Sequence, residues 1–273
     1  MTVCVAASCS NGRAVVVASD RMLSAPFLTV EFDHQDAKID QINDRCVALS
    51  AGDALCVQDV LIGGFGAASQ LQNPSIQVLA SQIKMQFCEV RKQRINDVIL
   101  GPRGIDFDTF YQRGAISQFP PDLAMLLDSQ VQKTELGTTI LVAGVDESGA
   151  HIFSIGDPGA MACFDRLGYH AIGSGHRHAL LKLVSLGQHN SLGLNQTVFN
   201  VFCAKKVAEL APGVGQSTSM RIVAHNGTSL VDDETLTAMD PAYQEQTNPK
   251  LTKVEKIVSS LPFEKEGTDD ALR

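Results

Sequence analysis

The chain has no apolar run near the ~20 residues that a membrane-spanning helix needs; VVVA at 15–18 is typical of its hydrophobic stretches. Its first residues lack a basic segment followed by a longer apolar one, so no secretory signal is expected. Surplus positive charge is also missing. With 22 Lys and Arg against 30 Asp and Glu, net −8, the chain is a poor partner for nucleic acid or an anionic membrane. Cysteine spacing of the metal-binding or redox kind is absent. The seven cysteines, at 4, 9, 46, 56, 88, 163 and 203, include no C-x-x-C pair, and none lies near His176 and His178. Small thiols in a reducing compartment are the expectation, hence a cytoplasmic protein with no metal and no cofactor.

What is present is an ordinary globular composition, 44% hydrophobic over 273 residues, enough for one large core or two modest ones. Three stretches read as β-hairpins: 2–20 turning at Asn11-Gly12, 138–165 turning at 147–149, and 220–231 turning at Asn226-Gly227. A further strand at 45–50 runs into Ala51-Gly52-Asp53. Helical periodicity covers 54–71, 75–100, 176–186 and 196–210, with three glycines weakening the first and Pro74 preceding the second. Strands in separate runs with helices gathered in pairs predict an α+β layered sandwich more than alternating βαβ units. The domain expected is 1–231 with an insertion at 101–136 carrying Phe107, Phe110, Tyr111 and Phe119. The segment 232–273, with ten acids and five bases, reads as a surface tail with a short helix near 252–260.

Thr2 becomes interesting if Met1 is removed, as is usual before a small residue. A terminal threonine pairs a hydroxyl nucleophile with an α-amine base in one residue. The amine titrates near ~7.7–8.0, so a modest downward shift makes it a competent base at neutral pH. A cation at ~5 Å and an effective dielectric of ~20 repels its protonated form by roughly 3 kcal/mol, about two pKa units.

The residues that would complete such a site occur in order. Thr2 is followed by Ala18-Ser19-Asp20-Arg21, Lys38-Ile39, the strand ending Ala51-Gly52, the 138–155 stretch TTILVAGVDESGAHIFSI, and Ala171-Ile172-Gly173-Ser174-Gly175 before a helix. The chain resembles a proteasome β-type subunit of the N-terminal-nucleophile (Ntn) hydrolases over about 2–231, as a divergent, stand-alone homologue of the Anbu type. That resemblance implies a four-layer αββα sandwich and an amide-bond hydrolase, a threonine peptidase with a peptide or protein substrate. It implies Thr2 as nucleophile and base, Lys38 keeping the amine deprotonated, Asp20 orienting Lys38, Gly52 N–H as oxyanion donor and Ser174 bonding the amine or the bound water. Ser50 and Ala54 would line the first specificity pocket. Loss of Lys38 is expected to remove chemistry and spare the fold.

The family's carboxylate between the last helix and the closing strand has no counterpart in 211–220, where Ser217 or Ser219 could only hydrogen-bond. A transpeptidase or acylase using the same nucleophile, and a catalytically silent assembly protein, stay open beside the peptidase. Gly137-Thr138, similar to a propeptide junction, reads as an internal strand, and His176 and His178 as a helix start. A homo-oligomer, possibly a ring, is expected through the outer helices. Phe87, Val90, Ile95 and Ile99 would form the interface core, rimmed by Arg91, Lys92 and Arg94; the alternative is that the 101–136 insertion folds over this helix within one chain. Whether an ATPase partner exists is open.

Overall fold

The apolar runs flanking Asn11-Gly12 form an antiparallel hairpin, β1 (Cys4–Cys9) and β2 (Ala14–Asp20). The computed structural model describes residues 2–25, 30–33, 38–112 and 119–247. The hairpin loop is wider than the Asn-Gly pair alone: residues 10–13 lie between the strands, and Ser10, Asn11 and Gly12 all take positive φ. β2 pairs next with β11 (Thr218–Ala224), which returns as β12 (Gly227–Val231). That turn is His225-Asn226, one residue earlier than expected, because Gly227 at φ +118° already pairs with Ala224. β10 (Tyr169–Ile172) closes the other side of β1, giving a first antiparallel sheet in the order β10-β1-β2-β11-β12.

The second sheet, also antiparallel, runs β5 (Ile39–Asn43), β6 (Cys46–Gly52), β7 (Thr138–Asp146), β8 (Gly149–Gly156), β9 (Ala160–Cys163). Thr138 opens β7 and is buried, so the Gly137-Thr138 pair is internal strand. A separate ribbon pairs β3 (Met22–Ala25) with β4 (Val30–Asp33); this ribbon and β5 are additions to the sequence reading.

Why β1 and β2 are apolar at almost every position follows from what covers them. Val5, Ala7, Val16 and Ala18 meet Leu183 of α5 (His176–Ser185) and Val201 and Phe202 of α6 (Leu194–Ala208). The alternate residues Cys4, Ala6, Val15 and Val17 face Val47, Leu49, Leu141 and Ala143 of the second sheet. The outer face of that sheet, Ala48, Ile140 and Val142, meets Val60 of α1 (Ala54–Gln70) and Leu79 and Ile83 of α2 (Ile76–Ile95). The chain is therefore α+β, built on two antiparallel sheets.

The glycines of α1 are there for closeness. A Cβ on Gly64 would lie 2.8 Å from Ile83 Cγ1, and one on Gly63 2.6 Å from the Gln82 carbonyl oxygen, so α2 can approach only a bare backbone. Gly66 faces open space. Gly66→Ala should raise stability by about 0.5–1 kcal/mol, the ordinary helix gain. Gly64→Ala should lower it by about 1–3 kcal/mol through overpacking; thermal melts of the two variants check the opposite signs.

α2 starts with Ser75 accepting from Val78 N, and Asp146 Oδ2 at the end of β7 accepts from Ile76 N at 2.9 Å. The helix stops at Ile95 instead of 100, passing into one π-helical turn at Asn96–Leu100 and a 3-10 turn at Gly101–Arg103. Within 101–136, α3 (Phe107–Tyr111) and α4 (Pro121–Lys133) fold back over this end, burying Ile95, Ile99 and Leu100 against Phe110, Leu127 and Val131. Arg91 donates to the carbonyls of Val131 and Thr134, and Arg94 to those of Glu135 and Leu136. The expected interface core is thus corrected: Phe87, Ile95 and Ile99 are covered by their own chain.

Residues 232–247 are not simply a surface tail. α7 (Asp233–Ala238) and α8 (Asp240–Thr247) set Leu236, Met239 and Tyr243 on the core beside α6. The helix expected near 252–260, like Met1, lies outside the described residues.

Candidate active site

Pairing of Cys4 with Ser19, and the bond from Asp20 N to Val3 O, bring Asp20 to the end of β2 directly beside Thr2. Asp20 has no exposed surface, and a bare buried carboxylate would be costly. Its oxygens are saturated with donors. Oδ1 accepts from the Thr2 hydroxyl and from Val3 N at 2.9 Å. Oδ2 accepts from Lys38 Nζ at 2.8 Å, Gly215 N at 3.1 Å and Met22 N at 3.3 Å. Lys38, one residue before β5, is itself only 5% exposed. Removing it would strand a buried charge, so burial argues for a loss of stability on replacing Lys38 and against an indifferent fold.

The other side of Thr2 is held by the turn ahead of α5. Thr2 N donates to Ser174 Oγ at 3.1 Å, while Ser174 Oγ and Gly175 N both donate to Thr2 O at 3.2 Å. Gly173, at φ +90°, makes the approach possible: a Cβ there would sit 2.3 Å from Thr2 O. His176 begins α5, as expected of a helix start, and its Nδ1 lies 2.6 Å from Gly173 O.

Gly52 ends β6 at φ +114°. Ser50 N bonds to Lys38 O at 3.1 Å, whereas Asp53 N bonds to Gly137 O at 3.0 Å on the β7 side. The two-residue alternation of a strand therefore turns the Gly52 N–H to the side of Ser50 N, the side of Lys38, past the end of β5. Thr2, Gly52 and Ser174 line one cleft of about 500 Å³. Ser50 and Ala54 do not. Ser50 is buried behind it, its carbonyl accepting from Cys4 Sγ at 3.3 Å, and Ala54 is an exposed residue in the first turn of α1; Ala51 takes the position on the wall.

The cleft also contains residues that the sequence reading missed, His170, Thr139 and Ser154. Burial, reinforced by His176, pushes His170 down to about 4, so it is neutral at pH 7. Burial drives the Cys4 thiol far above its usual range, against the pull of Lys38, which keeps this neighbour of the site an inert thiol. Chemically, the arrangement offers a hydroxyl and an ammonium on one carboxylate, with Gly52 on the wall of the same cleft as Thr2. No group of three metal-binding side chains occurs among the described residues. No protein-family model matches the chain, and no curated protein matches it.

Proposed function

We propose that the chain is an amide-bond hydrolase, a threonine peptidase related to the proteasome β-type subunits, acting through an acyl-enzyme on Thr2 after Met1 is removed. The observation carrying this reading is the continuous series Thr2 hydroxyl, Asp20, Lys38, with the Thr2 nitrogen on Ser174. Helix pair, sheet, sheet and helix pair, stacked through three apolar cores, are read as the αββα sandwich of that superfamily.

In this mechanism the freed α-amine takes the Thr2 Oγ1 proton through a water, and the oxygen attacks the substrate carbonyl. Lys38 supplies positive charge that keeps the amine unprotonated and stabilises the alkoxide. Asp20 holds Lys38 in place. The Gly52 N–H receives the developing oxyanion, a type of contact worth about 3–4 kcal/mol in the transition state. The amine then returns its proton to the leaving amine, and water hydrolyses the Thr2 ester. Seven free thiols support a reducing, cytoplasmic setting. Exposed Leu55 and Ile62 on α1 and Met85 on α2 support a homo-oligomer contacting through this helix pair.

Intact mass after incubation with a β-lactone or epoxyketone tests the reading. Mature protein should lack Met1 and carry one adduct, mapped to Thr2 and missing from Thr2→Ala. Retention of Met1 in all molecules would reject it, because an acylated nitrogen cannot serve as the base. Free Thr2 without an adduct would favour the silent assembly protein.

A further inference from the structure

Lys205 lies in the last turn of α6, where a lysine would ordinarily reach water. Its side chain has no exposed surface, while that of its neighbour Lys206 is 22% exposed. All three ammonium protons have acceptors: Glu209 Oε1 at 2.6 Å, the Gly215 carbonyl at 2.9 Å and the Gln216 carbonyl at 2.6 Å. Burial pulls the Lys205 pKa down, against the Glu209 carboxylate that favours the charge. Two of its acceptors belong to the loop that leads into β11, and that loop is the one touching Asp20. Gly215 N donates to Asp20 Oδ2, and a Cβ at Gly215 would come within 2.6 Å of Met22 Cβ and 3.3 Å of Asp20 Oδ2. Gly215 is thus gripped from both sides, its N–H by the buried carboxylate and its carbonyl by the buried ammonium.

We propose that Lys205 is a positioning residue for the site: it fixes the 215–216 turn so that the Gly215 N–H holds Asp20 between Lys38 and Thr2. The structural half stands alone; the consequence for reaction rests on the functional reading above. Segment 211–220 contains no carboxylate, so nothing in it could anchor itself to the site by charge. A backbone N–H does that work, and a backbone N–H is only as well aimed as the turn carrying it. An ammonium fixing two successive carbonyls provides the aim, and Glu209 offsets its charge.

Two variants test this, Lys205→Met, which keeps the volume and removes the donors, and Lys205→Gln, which keeps two donors for the two carbonyls. Hydrogen exchange of the Gly215 amide and the rate of Thr2 modification by a β-lactone are measured for each. In Lys205→Met, exchange at Gly215 should quicken and modification slow, each by about 10–100-fold, with exchange in β1 and β2 unchanged. Lys205→Gln should recover much of both. If the methionine variant does not fold, Lys205→Met/Glu209→Gln, which also removes the carboxylate left without its ammonium, carries the same measurements against wild type. Unchanged exchange at Gly215 overturns the proposal, as does faster exchange with an unchanged modification rate. A wild-type protein that is never modified rejects the functional reading alone, and the exchange ratio then decides whether Lys205 holds the turn.

Discussion

Lys38→Met should lose about 100-fold or more in the rate at which an electrophile modifies Thr2, and it should melt well below wild type. The rate follows from charge. Without the ammonium, roughly 3 kcal/mol of repulsion on the protonated amine disappears, and each ~1.4 kcal/mol is a factor of ten. The melting change follows from burial: Asp20 is fully enclosed and its ion pair with Lys38 is 2.8 Å long. Leaving one partner of a buried pair alone typically costs about 3–5 kcal/mol, about 10 °C for a domain of this size. The double variant Asp20→Asn/Lys38→Met removes the stranded charge and should regain part of the stability and none of the reactivity. The regain is partial because one of the two side-chain amide atoms then faces backbone N–H donors it cannot accept from. Kinetics of adduct formation and calorimetry separate the two effects. A Lys38→Met protein that melts like wild type would contradict the buried pair, and one that reacts like wild type would contradict its electrostatic role.

Gly173→Ala should be as damaging without touching a charge. Positive φ at +90° costs a non-glycine residue about 1–2 kcal/mol. The new methyl would also lie 2.3 Å from Thr2 O and 2.8 Å from Thr2 Cγ2, forcing Thr2 to move by roughly an ångström. Displacement on that scale costs about 100-fold in a positioned reaction. Gly187→Ala is the control: its φ is +61°, nothing lies within 4 Å of the added carbon, and only the backbone strain remains. Denaturant unfolding should register a loss in both variants, larger for Gly173→Ala, while Thr2 modification slows in that one alone. Equal modification rates would mean that the Ser174 turn does not set the position of Thr2.

These effects trace back to residues of very different visibility in the sequence. Thr2, Asp20, Lys38, Gly52 and Ser174 could be named in advance only through the resemblance to proteasome β-type subunits; taken alone, each reads as an ordinary strand residue, surface charge or turn, and strand pairing is what brings them together. The hairpins were legible through Asn-Gly and alternation, though Ser10 and His225 joined the turns by adopting local geometry that no periodicity reports. Lys205 was invisible: a lysine on a helix reads as a solvated face, and only the fold of 211–217 over α6 encloses it. His170, Thr139 and Ser154 come from three different strands and share a wall only after the two sheets are stacked. Helical spacing in 75–100 was real but could not distinguish a covering sheet from a covering insertion or a partner, and the apolar phase runs unbroken through the π turn at Ile99. Ser50 and Ala54 rest on the resemblance alone: along β6 a shift of one residue turns a side chain to the opposite face, so Ala51 and not Ser50 lines the cleft, and Ala54 lies on α1.

Arg21 follows Asp20 in the chain, and its guanidinium grips both oxygens of Asp233, at 2.6 and 3.2 Å. Behind that clasp, Tyr243 meets the edge of Phe202 and Leu236 is buried. Anyone trimming this protein to a minimal unit would be tempted to cut at 231, where the last strand ends and acidic residues begin. The cut would bare the flank of α6 to water and release Arg21 from its counter-charge next to the strand bearing Asp20. Residues 232–247 behave less like packaging than like the lower hem of the domain, and a shortened version that stays soluble has to keep them.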